Sequence, residues 1–335
     1  MNLYTNLIKD MGLNPCIDSC KYCQVGHAFC TENEEFEGIY WFYETDEFII
    51  EIHDFFIKKE RVVTSFPHIG NLISFYSSYL ITANGESFNP YETLFSNSLY
   101  VIDTSAAQQN YKFLLHGNFP YLSVGIGFKN KMIKEHLSCI KNKKNVNFSN
   151  VFFETKSLIS TAIEKLALSI LNCKMTSPAA EIFFEAKAKE WLSITINAFL
   201  SKENKKIPYD DNIAIENVAH YLDDHYALDV PQEILEKIAM MSGTKLKKLF
   251  KQKYQMTITE YSQRKRMNIA ETLLLNTSLE IKDVAKSVGY SSHSKFTTYY
   301  KKYKGICPKD VRDIAKKHKD YLPRSCNIKF RDLNK

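Results

Sequence analysis

No stretch of this 335-residue sequence approaches the ~18 consecutive apolar residues that a membrane-spanning helix needs, so no membrane partner is expected. The opening, MNLYTNLIKDMGLNPC, lacks a basic stretch followed by an apolar core. A secretory signal peptide is therefore not expected, and the chain is placed in the cytoplasm. In that reducing compartment its eight cysteines read as thiols or metal ligands rather than disulfides. The last part of the chain is also short of acid. Residues 242–335 hold 8 Asp and Glu against 23 Lys and Arg, a net +15, whereas residues 1–241 hold 30 against 21, a net −9. A basic end of this size suits a polyanionic partner, because each Lys or Arg set on a phosphate releases condensed counterions.

What is present is otherwise ordinary for a soluble protein: 44% hydrophobic and 24% charged residues, in a chain long enough for two or three domains. GIYWFYE, EFIIEIHDFF, NLISFYSSYLIT and PYLSVGIGF are rich in aromatic and β-branched residues and are separated by turn-like segments. They predict antiparallel strands in a barrel or sandwich. From about residue 130 the period changes. NKMIKEHLSCI, FFETKSLISTAIEKLALSILN and SPAAEIFFEAKAKEWLSITINAFL space apolar residues by three and four, as amphipathic helices do. SKENKKIPYDD is a polar, proline-containing linker, and helices with short turns follow it. The expected fold is α+β. A Cys-rich segment (1–35) precedes a β-rich, cupin- or barrel-like sensor domain (36–150). A helical dimerisation or linker region (151–206), an all-α domain with two helix-turn-helix units (207–318) and a basic tail (319–335) complete it.

The all-α region contains an internal repeat, ILEKIAMMSGTKLKKLFKQKY and VAKSVGYSSHSKFTTYYKKY. Each copy predicts a short helix, a turn and a second helix. Leu235, Ile238 and Ala239 should pack on Leu246, Leu249 and Phe250, and Val284, Ala285 and Val288 on Phe296, Tyr299 and Tyr300. Ser242 and either Ser291 or Ser292 are placed to N-cap the second helices, and Thr277 and Glu280 have capping-box spacing. ITEYSQRKRMNIAETLLLN between the copies reads as one longer helix.

The string IKDVAKSVGYSSHSKFTTYYKKYKGICPKDVR resembles the second helix-turn-helix and terminal segment of AraC/XylS regulators, and YSQRKRMNIAETLL resembles their linker helix. With the first repeat included, the match covers roughly 100 residues. SPAAEIFFEAKAKEWL, over 16 residues, resembles the helix before the DNA-binding region in the pyochelin-regulator-like subgroup. The resemblance implies a sequence-specific transcription regulator, an activator rather than an enzyme. Its implied partners are promoter DNA, RNA polymerase, a small-molecule effector and a second copy of the chain. Each second helix would enter the major groove, about one DNA turn (~34 Å) apart. Helical spacing then exposes Thr244, Lys245, Lys247, Lys248 and Lys251 in the first unit and His293, Ser294, Lys295, Thr298 and Lys302 in the second. Thr244, Lys247, Lys248, His293, Ser294, Lys295 and Thr298 are candidates for base edges, and Lys251, Lys302 and Arg264 for phosphates. The first unit departs from the family pattern twice. Glu236 stands in place of alanine and Met240 in place of the turn glycine, where the second unit keeps Ala285 and Gly289. Glu236 would push the helices apart or turn sideways to a lysine. A Met at a turn that favours positive φ costs on the order of 1 kcal/mol.

In the strand-rich half, Trp41, Tyr43, Phe75, Tyr76 and Tyr121 are candidates to line a ligand pocket, as the resemblance suggests; equally, such rings fill cores. CIDSCKYCQVGHAFC places Cys16, Cys20, Cys23 and Cys30 within 15 residues, with His27 among them. Thiolates so spaced can converge on zinc or an iron–sulfur cluster, which would make the regulator metal- or redox-responsive. The first three, with Tyr22 before the last, resemble the cluster motif of radical S-adenosylmethionine enzymes. Those enzymes need alternating strands and helices after the motif, and here strands come first and helices follow. This argues against an enzyme fused to a DNA-binding module. Repair proteins that join AraC-type units to a zinc-held methyl-acceptor cysteine space their cysteine pairs more widely than this.

Overall fold

The strand-like segments form the sheets expected of them. In the computed structural model, helix α1 (Leu3–Asp10) precedes β1 (Asn14–Pro15), β2 (His27–Glu32), β3 (Phe36–Glu44), β4 (Phe48–Ile57) and β5 (Arg61–Thr64). They are followed by β6 (Phe75–Thr82), β7 (Asn84–Phe88), β8 (Glu92–Phe95), β9 (Ser98–Asp103), β10 (Lys112–Leu115) and β11 (Phe119–Phe128). The four strands legible in the sequence are β3, β4, β6 and β11, the centre of a seven-stranded sheet of order β1-β2-β3-β4-β11-β6-β9. A second, four-stranded sheet has the order β5-β10-β7-β8. The structure describes residues 3–10, 12–16, 21–64, 70, 72–88, 91–104, 112–144, 147–202, 207–304 and 306–316. It divides into two compact units, Met1–Asn197 and Ala198–Lys319.

Successive strand residues point to opposite faces, so pairing fixes which side chains meet. On one face of the large sheet lie Tyr40 opposite His53 and Phe42 opposite Glu51; on the other lie Trp41 opposite Ile52 and Tyr43 opposite Ile50. The second face is covered by helices. After α2 (Asn130–Lys144) come α3 (Phe148–Phe153), α4 (Lys156–Leu171) and α5 (Ala179–Lys202), and these last three pack on that face. Trp41 and Tyr43 meet Phe184 of α5 at ring distances of 5.5 and 5.2 Å. Phe75 stacks on Phe152 of α3 at 4.7 Å, and Trp191 Nε1 donates to Ser77 Oγ at 3.1 Å. Ile159, Ile163, Leu166, Ala167 and Ile170 make the buried stripe of α4, which lies on β6, β9 and β11. The apolar stripes of the 151–200 helices thus serve this sheet. The segment read as one helix from 152 is two. Thr155 at the break turns its hydroxyl back on the Val151 carbonyl (2.6 Å), a local bond that competes with helix continuation.

The first face looks inward. Leu80 and Tyr100 of the large sheet share a core with Leu94 and Phe113 of the small one. Tyr4 and Ile8 of α1 pack with Phe29, Phe42 and Ile73.

The second unit is helical: α6 (Tyr209–Asp224), α7 (Gln232–Ala239), α8 (Gly243–Tyr254), α9 (Ile258–Asn276), α10 (Ile281–Ser287), α11 (His293–Lys304) and α12 (Pro308–Lys316). Helix α9 is central, packing against α6 and α8 on one side of the unit's sequence and α10, α11 and α12 on the other.

Candidate nucleic-acid interface

The two repeats fold as two similar helix pairs. In the first, Leu235, Ala239, Leu246 and Phe250 are buried together with Ile215 and Val218 of α6, with Ile238 and Leu249 packed beside them. In the second, Val284, Ala285, Val288, Phe296 and Tyr300 are buried, while Tyr299 is half-buried against Tyr290. Ser242 N-caps α8 through Lys245 N, and Ser292 rather than Ser291 caps α11 through Lys295 N at 3.3 Å. Each cap satisfies a backbone donor that the first helical turn leaves open. The Thr277–Glu280 capping box does not form. Thr277 ends α9, its hydroxyl donating to the Leu273 carbonyl at 2.7 Å, and Glu280 pairs with Lys282 at 2.7 Å.

The turns carry the expected backbone. Met240 is left-handed at φ 50° and 92% exposed, and Gly289 lies at φ +83°. Met240 buries nothing, so Met240→Gly should stabilise the unit by about 0.5–1 kcal/mol, read as a shift in the urea midpoint. Gly289→Ala should do the opposite. An added methyl would be strained at that φ and would collide with the Ala227 backbone carbonyl, so the midpoint should fall by more than the gain at Met240. Glu236 neither pushes the first pair apart nor reaches a lysine; it accepts from Gln232 Nε2 at 2.5 Å. Gly243 makes room for it, since a Cβ there would meet Gln232 and Glu236. The departure from alanine at 236 is thus accommodated across the turn.

Most side chains expected at the interface are exposed on α8 and α11: Thr244, Lys247, Lys248 and Lys251 on the first, His293, Ser294, Lys295, Thr298 and Lys302 on the second. Thr298 already donates to the Ser294 carbonyl at 3.0 Å, leaving its oxygen as an acceptor. Lys302 lies over the rings of Tyr299 and Tyr303 at 5.9 and 5.4 Å. Two expected contacts are otherwise engaged. Lys245 reaches back to Asp211 of α6 at 2.8 Å. Arg264 is largely buried, bonded to Glu260 one turn earlier at 3.2 Å and set over Tyr303 at 5.6 Å.

Sequence reasoning missed the charges that lock α9 to its neighbours. Arg266, nearly buried, donates to the carbonyls of Tyr226 (2.7 Å) and Leu228 (2.9 Å) and to Asp229 (2.8 Å), and covers Tyr290 at 5.6 Å. Lys304 of α11 inserts beside Glu271 and Asn268 of α9 at 2.6 and 2.8 Å. These contacts fix the second pair on α9, and with it the presentation of α11. Nothing in their sequence spacing distinguishes them from solvated charges.

The other expected sites are split. Trp41, Tyr43 and Phe75 lie on the helix-covered face, whereas Tyr76 and Tyr121 lie on the inward face. Among the cysteines, Cys16 and Cys30 are close enough that a hydrogen bond from Cys16 pulls the Cys30 thiol below its usual range. Cys23 is buried beside Cys173 and donates to the Met175 carbonyl at 3.1 Å, and Cys20 lies outside the described residues. Among the described residues no three His, Cys, Asp or Glu side chains are grouped as a metal site would need.

The family model described as "Helix-turn-helix domain" matches residues 235–314, both helix pairs and α9. The bifunctional transcriptional activator/DNA repair enzyme AdaA of Bacillus subtilis is 29% identical over 118 residues, 35% of this chain and 55% of that protein. The melibiose operon regulatory protein of Escherichia coli K12 is 26% identical over 117 residues, 34% of this chain and 32% of that protein. The chain thus spans about half and a third of the length of these relatives. The solved C-terminal domain of the response regulator yesN from Fusobacterium nucleatum is 30% identical, covering 30% of this chain and 97% of its own, with a TM-score of 0.28.

Proposed function

We propose, from the AraC/XylS-type helix-turn-helix domain that this chain carries, that it is a transcription regulator that reads DNA with α8 and α11 and answers to a small molecule held by its β-rich unit. The observation that carries the reading is the exposed face of each capped helix. Among the described residues, Lys247, Lys248 and Lys251 on one, and His293, Ser294 and Lys295 on the other, have no acidic partner of the kind that holds Lys245 and Arg264. Lys offers donors to guanine O6 and N7, and Ser and Thr contact several bases. Helix α9 joins the pairs into one unit, so one chain presents two reading helices to successive major-groove segments. Activation is the direction proposed, by recruitment of RNA polymerase beside the promoter.

The test is retardation of the chain's own promoter fragment across a salt series. Several neutralised phosphates should make log K fall steeply with log salt, by roughly 0.9 per phosphate contact. Absence of retardation at low salt would overturn the reading.

A further inference from the structure

The inward face of the large sheet also holds a buried polar patch. Between the α1 cluster and the small-sheet cluster stand Glu51 and His53 of β4, Tyr121 and Ser123 of β11, and Tyr76 and Ser78 of β6. Glu51 is 4% exposed. One of its oxygens accepts from Tyr4, whose hydroxyl also meets Tyr40 Oη at 2.6 Å. The other has His53 Nε2 at 3.3 Å. No Lys or Arg stands on this face of the large sheet among the described residues. Arg61 of the small sheet is drawn instead to Glu35 at 3.6 Å and the Phe36 ring at 4.1 Å.

Around the carboxylate are hydroxyls and rings. Tyr76 Oη, Ser78 Oγ and Ser123 Oγ are buried and make no well-formed hydrogen bond among the described residues; Ser78 does no more than lean on Tyr76, and Ser123 on Tyr121. Gly125, opposite Glu51, leaves space for the Tyr76 ring, which an added Cβ would strike. The His53 ring lies 4.9 Å from that of Tyr40 and 6.2 Å from that of Tyr121. Burial first, and then the charge of Glu51, holds the Tyr76 hydroxyl well above the ordinary phenol range, so it is protonated.

A buried hydroxyl left without a well-formed bond costs up to about 1–3 kcal/mol, so three on one patch point to an occupant that supplies better hydrogen bonds. The nearby carboxylate, without a lysine or arginine, repels a second negative charge and attracts a cation. Ring faces attract cations as well, and serine and tyrosine oxygens accept from N–H donors. We propose that this patch binds a small organic ammonium ion, recognised by Glu51, by the hydroxyls of Ser78, Ser123 and Tyr76, and by the surrounding tyrosine rings. This rests on the regulatory reading above and names the chemistry of its effector.

The experiment is a thermal-shift and calorimetric titration of the full chain with primary ammonium ions graded in size from methylammonium to tyramine. Each is paired with a neutral and a carboxylate counterpart of the same skeleton, such as 4-propylphenol and 4-hydroxyphenylacetate. At least one amine should raise the melting midpoint saturably, and its counterparts should not. Glu51→Gln should weaken that amine at least tenfold. Tyr76→Phe and Ser123→Ala remove hydroxyls that lack a well-formed bond, so the unliganded midpoint should hold or rise while amine affinity falls severalfold; these two carry the test if Glu51→Gln does not fold. The proposal is overturned if no amine shifts the midpoint, if neutral or anionic counterparts bind as well, or if these variants bind the amine like the parent. Promoter retardation measured without amine separates the two claims. A chain that binds DNA but no amine loses only this inference, and one that binds amine but no DNA loses the regulatory reading.

Discussion

Glu271→Ala should destabilise the C-terminal unit by about 3–5 kcal/mol, the largest loss expected from any single change outside its apolar core. The Lys304 and Glu271 side chains are 2% and 5% exposed, and their N–O distance is 2.6 Å. Burial pulls the Lys304 ammonium below the usual lysine range, and Glu271 opposes that pull. Without the carboxylate, a charge remains among apolar neighbours with only part of its hydrogen bonding. The double variant Glu271→Met, Lys304→Met removes both charges and should recover most of the loss, because a buried pair replaced by apolar groups of similar volume is often neutral or better. Urea unfolding followed by circular dichroism at 222 nm measures this. Tryptophan fluorescence cannot, since Trp41 and Trp191 are the chain's two tryptophans and both lie in the first unit. A single-variant loss below about 1 kcal/mol, or equal losses in single and double variants, would contradict the account of α11 as a helix fixed by that pair.

Lys247→Ala and Lys295→Ala should each relax preference at one base pair by about 1–3 kcal/mol, whereas Lys302→Ala should weaken all sequences alike. The first two are exposed in the N-terminal halves of α8 and α11, where groove insertion is deepest. Lys302 is in the last turn of α11, over two tyrosine rings, with its charge placed for a phosphate. Its loss should lower the salt slope by about one contact's worth, ~0.9. Lys245→Ala and Arg264→Ala are informative controls. Both side chains are engaged by acids, so their removal should perturb the fold of the unit more than base discrimination. Competition against single-base operator variants reads these effects, and uniform loss from Lys247, Lys295 and Lys302 alike would defeat the assignment.

The helix pairs were legible because their apolar stripes and Ser caps are local. The buried residues of α7, α8, α10 and α11 follow from three- and four-residue spacing alone. For the same reason the sequence presents Lys245 and Arg264 as solvent-facing. Spacing showed them off the apolar stripe, but not that Asp211, 34 positions earlier, or Glu260 would claim them. Arg266 and Glu271 are the converse, charged residues buried on α9 because tertiary partners satisfy them. In the β unit, alternation separates Phe75 from Tyr76 but does not say which face the helices take. The sequence EFIIEIHDFF therefore hid Glu51 and His53, whose alternation with apolar residues reads as a solvated face until α1 and the small sheet close over it. Strand β2 and helix α1 lie in a segment read for its cysteines, of which the fold sets Cys16 beside Cys30 and turns Cys23 to the Met175 carbonyl.

The central claim is that one chain reads DNA with two helices held at a fixed spacing by α9. Selection of bound duplexes from a random pool by the purified full chain, followed by sequencing, tests it directly. The account predicts an enriched site with two blocks of preference whose centres lie about 10–10.5 base pairs apart, and predicts that Lys247→Ala blurs one block and Lys295→Ala the other. Enrichment of a single block unaffected by either variant, or no enrichment at low salt, would contradict it.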